Sequence, residues 1–135
     1  MRKSQDFRMF NSVLVLRQGR KTPLDADWDA CMEAIAARPS DAPNLRVLVI
    51  TDGGGPSVEQ RRRLSNVLEG KPVKIAVVSE SSTVRFIVSS VALFNQDIAS
   101  FRPAELGKAY AYLGLAPDEI RSATRAIDTM SLDVA

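Results

Sequence analysis

Two nearly uninterrupted apolar runs, "LRVLVITD" at 45–52 and "VKIAVVSES" at 73–81, constrain this chain more than any other feature. An antiparallel surface strand alternates apolar and polar residues. A strand that is apolar throughout is covered on both faces, as in parallel sheets, where helices make the crossovers. Segment 53–72, between the two runs, opens with three glycines and a proline and continues in helix formers. Together they read as strand, loop, helix, strand.

The same alternation extends in both directions. "FRMFNSVLVLRQG" (7–19) predicts a short edge strand and a longer strand, with Asn11 and Ser12 as the turn between them. In "KTPLDADWDACMEAIAARPSD" (21–41), Thr22 is placed to cap a helix, Pro23 to occupy its first position and Asp25 its third. Leu24, Trp28, Cys31, Met32 and Ile35 then share one stripe, and Pro39 and Pro43 lie in the exit loop. The helix after the glycines carries Leu64, Val67 and Leu68 inward and ends near Gly70. "STVRFIVSSVALFN" (82–95) predicts a helix and "IASF" (98–101) a short strand. Pro103 starts a helix with Leu106, Ala109, Tyr110 and Leu113 on one side and Gly114 at its end. Pro117, Asp118 and Glu119 open a last helix bearing Ile120, Thr124 and Ile127, and the tail "SLDVA" frays. The expectation is one α/β domain over 1–135, a single small mixed, largely parallel sheet flanked by helices.

Composition narrows the chemistry. At 135 residues, 45% apolar and 25% charged, the chain can bury a real core. A net charge of +2 gives no nucleic-acid footprint. No apolar run reaches the length of a membrane span, and "MRKSQDF" lacks the apolar stretch of a signal peptide. The lone Cys31 cannot form an internal disulfide, so a cytoplasmic protein is expected. There is no histidine, which removes the commonest general base and the commonest transition-metal ligand. No enzyme activity, metal or cofactor is expected.

The loop Asp52-Gly53-Gly54-Gly55-Pro56-Ser57 is the first candidate site. A P-loop needs Lys followed by Ser or Thr, and none follows here. A dinucleotide fingerprint beginning at Gly53 needs a third glycine where Val58 stands. What survives is a helix N-terminus that favours an anion or a phosphorylated serine, against a plain turn with Ser57 as N-cap. Asp25 and Asp29, one turn apart, suit the helix dipole better than a metal. Arg61, Arg62 and Arg63 point in three directions about 100° apart, so they form no stripe. Ser79, Ser81 and Ser82 end the second apolar strand. Ser81, Ser82 and Thr83 offer caps, and Ser79, Ser81 and Ser82 are otherwise a ligand edge at the end of the sheet where α/β folds place their sites.

The helix after them is apolar on two sides. Val84, Ile87, Val88, Val91 and Phe94 form the stripe expected to face the sheet. Phe86 and Leu93, flanked by Ser89 and Ser90, form a second strip that needs cover. The last helix, with Ile120 and Ile127, or a second copy of the chain would supply it, and a homodimer is the expected form.

The stretch "VKIAVVSES…VRFIVSSVALFNQDIASFRPAELGKAYAYLGL" (73–115), with its Phe-Arg-Pro-x-Glu-Leu helix start, resembles the SpoIIAA-like branch of the STAS family, the sulfate-transporter and anti-sigma-factor-antagonist fold. The order of elements extends the likeness back to about Phe7, and 116–135 lie beyond it as an added helix. The resemblance implies a non-enzymatic regulatory module that docks a protein partner. In that family a serine is phosphorylated in an Asp-Ser-[Ser/Thr]-Gly loop at a helix start. Here Asp52 matches the aspartate, Gly53 stands in place of the serine, and Ser57 follows several residues on. The alternative from another class is a binder of a small nucleotide or lipid near the glycine loop and the serine-rich strand end.

Overall fold

The computed structural model describes residues 3–92 and 97–132, with the backbone alone described at 90–92. Strand β1 (Gln5–Phe10) turns back into β2 (Val13–Gln18) as an antiparallel hairpin. Asn11 and Ser12 both adopt positive φ, 47° and 59°, which gives the tight hairpin turn whose twist matches its strands. Helix α1 (Asp25–Ala36), β3 (Leu45–Thr51), α2 (Val58–Leu68), β4 (Val73–Val78), α3 (Ser82–Ala92) and β5 (Ile98–Phe101) follow in alternation. A short 3-10 turn (Pro103–Glu105) leads into α4 (Leu106–Leu113), and α5 (Pro117–Thr129) comes last.

The sheet order is β1-β2-β3-β4-β5, with β2 to β5 parallel and only β1 reversed. Because each crossover steps one strand the same way and keeps the same hand, successive helices collect on one face. There, Trp28, Cys31, Met32 and Ile35 of α1 pack on Leu14, Leu16, Leu45 and Val47, with Leu64, Val67 and Leu68 of α2 against them. Burying each such side chain contributes roughly 1.5–3 kcal/mol. The other face is closed by α4 and α5. Ala109, Tyr110, Leu113, Ala123 and Ala126 pack on Val13, Val15, Leu48, Ala76 and Val78. Alternate residues of β2, β3 and β4 thus feed two cores, which is why these strands read as unbroken apolar runs.

Three local expectations are corrected. Thr22 does not cap α1: the helix begins two residues later, after Leu24. Ser4, from the segment before β1, makes the junction. Its hydroxyl accepts from the Leu24 N–H at 2.8 Å and donates to Asp27 at 2.6 Å. Leu24 therefore stands outside the stripe and is exposed. On α5 the buried line is Glu119, Ala123 and Ala126, with Ile120 and Ile127 half-buried beside it. Thr124 lies toward solvent, although its hydroxyl still meets the Tyr110 hydroxyl at 3.0 Å. On α3, Val88 is buried and Val84 half-buried, but Ile87 is 55% exposed. This helix runs along β5, a four-residue edge strand that offers only a narrow seat.

Arg46 of β3 joins the added C-terminal helix to the sheet. Its guanidinium meets Glu119 at 2.6 Å and donates to the Gly114 carbonyl at the end of α4. The Ala116 N–H, 2.9 Å from Glu119, and then Arg46 hold that carboxyl below the ordinary carboxylate range. A depressed folded-state pKa stabilises fully above the ordinary value of 4.5 and loses its effect as pH falls below it. Glu119→Gln is expected to cost about 1.5 kcal/mol or more near neutral pH. Urea unfolding should show its gap from wild type closing as the pH is lowered through the acid range.

Candidate functional site at the carboxyl edge

Parallel pairing brings the ends of β2 to β5 to one edge. Gln18 lies beside Thr51, Ile50 beside Val78, and Val78 beside Phe101. The glycine loop, the serines after β4 and Arg102 after β5 all leave the sheet there. Gln18, Thr51 and Ser79 are buried at this edge; the Thr51 and Ser79 hydroxyls are joined to backbone, and the Gln18 amide donates to the Gln5 side chain at 3.1 Å.

The glycine loop is closed by its own hydrogen bonds. The Thr51 hydroxyl donates to the Gly54 carbonyl at 2.7 Å and accepts from the Gly53 N–H at 3.1 Å. The Asp52 and Gly54 amides donate back to the carbonyls of Gln18 and Gly19. Asp52 itself is half-exposed and paired with Arg17 at 2.8 Å. Gly53 holds φ at 134°, a conformation that favours glycine. Gly54 is required for space, since a Cβ there would lie 2.3 Å from the Lys21 carbonyl oxygen and 2.7 Å from that of Gly19. Gly55 faces open space.

Ser57 caps α2. Its hydroxyl accepts from the Gln60 N–H at 3.1 Å, and the Gln60 side chain accepts from the Ser57 N–H at 3.0 Å. This reciprocal box engages two of the backbone amides, those of Ser57 and Gln60, on which an anion at this helix start would draw. Asp52 adds negative charge to the same loop. Arg20 and Lys21, both exposed, border it from the β2 side.

The serines after β4 are committed in a similar way. Buried Ser79 accepts from the Ser81 N–H through its hydroxyl, and its own N–H donates to the Phe101 carbonyl. Ser81 caps α3 by accepting from the Val84 N–H at 3.2 Å. Arg85 donates to the carbonyls of Ser79 and Glu80. Ser82 is exposed. Of the proposed interaction face, Phe86 is 73% exposed and Ser89 is exposed, while Leu93 and the side chain of Ser90 lie outside the described residues. Helix α5 does not cover this face as expected: it packs over β1 and β2, at the far side of the sheet from β5.

Sequence reasoning missed the residue at the centre of this edge. Gln60 is 1% exposed. Its side-chain amide donates to the Pro23 carbonyl at 2.8 Å and to Asp25 at 3.0 Å, and its backbone carbonyl accepts from the Trp28 ring N–H at 2.9 Å. Asp25 and Asp29 both meet Arg63. They join α1 to α2, a role beyond that of isolated dipole partners. The Ser-x-x-Gln spacing of a capping box was the available signal.

Cys31 is fully buried, and burial pushes its thiol up to about 12, far from a reactive thiolate. Among the described residues no cluster of acidic or cysteine side chains is arranged to hold a metal, and no helix is long and apolar enough to cross a membrane. Two surface grooves lie away from the carboxyl edge. One, of about 420 Å³, sits at the amino ends of β3 and β4 beside Arg38 and Lys71, and the other lies between α1 and α2. The chain matches no protein-family model, no curated protein and no solved structure.

Gly54→Ala is expected to destabilise by about 2 kcal/mol or more, because backbone must shift to admit the methyl group. Gly55→Ala should stay within about 0.5 kcal/mol of wild type. Chemical denaturation of the two variants side by side checks the contrast.

Proposed function

We propose that this chain is a non-enzymatic regulatory module of STAS type that works by docking protein and resides in the cytoplasm. The observation that supports this most is the use of polar groups at the carboxyl edge. Thr51, Ser57, Ser79 and Ser81 all satisfy nearby backbone. A small-molecule site needs convergent polar groups aimed into a concavity. A protein-docking surface needs only a rigid, shaped exterior with accessible anchors. Phe86 and Ile87, at 73% and 55% exposure, are such anchors, and a second copy of the chain is the occupant we assign to them. Ser57, half-buried and hydrogen-bonded, serves here as a cap in place of a phosphorylated switch.

Thermal-shift measurements against a panel of nucleotides and lipid vesicles should leave the melting temperature unchanged. Sedimentation equilibrium should give a dimer for wild type and a folded monomer for Phe86→Asp. A ligand-dependent rise in melting temperature would favour the small-ligand reading. A wild-type monomer at high concentration would remove the dimer.

A further inference from the structure

The reversed strand β1 is an outer edge of the sheet, and its open side would accept another strand. The hairpin determines which groups face outward. A two-residue turn is closed by a hydrogen-bonded pair, here Phe10 with Val13, and such pairs alternate along an antiparallel ladder. Arg8 with Val15 and Asp6 with Arg17 are then the further bonded pairs, and Gln5, Phe7 and Met9 turn their backbone groups outward. Phe7 is the middle of these three.

Both outward groups of Phe7 are occupied by its neighbours' side chains. Its N–H donates to Asp6 at 3.0 Å, and its carbonyl accepts from the Arg8 guanidinium at 2.8 Å. The same guanidinium nitrogen meets the same Asp6 oxygen at 2.9 Å, which closes the bracket on itself. Asp6 is mostly buried and also receives Lys3. We infer that Asp6 and Arg8 form a guard that closes the β1 edge against strand addition by a second copy of the chain. A second copy is the matching occupant because β1 against β1 about a two-fold axis is self-complementary. That register centres on Phe7, which would exchange both backbone bonds with the partner's Phe7, while Gln5 would meet the partner's Met9. The bracket therefore sits on the central pair of the pairing it prevents.

The guard can be read in the wild-type protein. Phe7 and Met9 amides both face outward, yet the charged hydrogen bond should slow Phe7 exchange about tenfold relative to Met9, after correction for intrinsic rates. Equal exchange of the two amides would overturn the inference. Asp6→Ala with Arg8→Ala should raise the sedimentation mass above that of wild type. Adding Met9→Pro, which removes an outward donor, should reverse that gain. A folded double variant that keeps the wild-type mass, or an association that Met9→Pro leaves intact, would also overturn it. If the double variant does not fold, Arg8→Ala alone with the Phe7 exchange measurement carries the test.

Discussion

The buried side-chain amide of Gln60 is the constraint on which the junction of α1, α2 and the glycine loop depends. It lies where the start of α1, the start of α2 and the end of the glycine loop meet. Both of its N–H groups and its oxygen are engaged, by Pro23, Asp25 and Ser57. Its backbone carbonyl receives the ring N–H of Trp28, the largest side chain in that core. A buried amide with every group paired fixes geometry, because losing any one partner leaves a desolvated polar atom behind. The beginning of α2 is thus set against α1 as well as by its own cap. The ion pairs of Arg63 with Asp25 and Asp29 reinforce the same seam from the surface side.

This explains what could be read from the sequence and what could not. The two apolar runs, the Asn11-Ser12 turn and the Ala109-Tyr110-Leu113 stripe are local or periodic signals, and each element formed where they pointed. The start of α1 was not local. Pro23 gives its carbonyl to Gln60, and the Leu24 amide is taken by Ser4, which the antiparallel hairpin brings back beside the end of β2. Thr22 is not the cap, and α1 has no side-chain cap; residues distant in sequence hold the segment that leads into it. Ile87 departs from expectation because α3 has a narrow strand beneath it, a fact of sheet order that helical periodicity does not contain. The buried line on α5 follows Glu119 because Arg46 reaches it from β3, and a charge pair across that sequence distance leaves no periodic trace.

The candidate site was legible in place but not in role. The glycine loop and the serine-rich strand end do share the carboxyl edge, as topology requires of parallel strands. Their hydroxyls and amides close the loops and cap the helices, so the edge is a stiff frame with charged residues at its rim. On our reading, function falls to exposed surface, with the apolar face of α3 available for contact and the β1 edge held shut.

The most direct test of this account is the unfolding free energy of Gln60→Leu, followed in urea by Trp28 fluorescence. Leucine keeps the bulk and removes every side-chain hydrogen bond. If the amide fixes the frame, the variant loses about 2–4 kcal/mol and the native emission of Trp28 shifts as its ring N–H partner moves. A variant within about 0.5 kcal/mol of wild type with unchanged native emission would contradict the account.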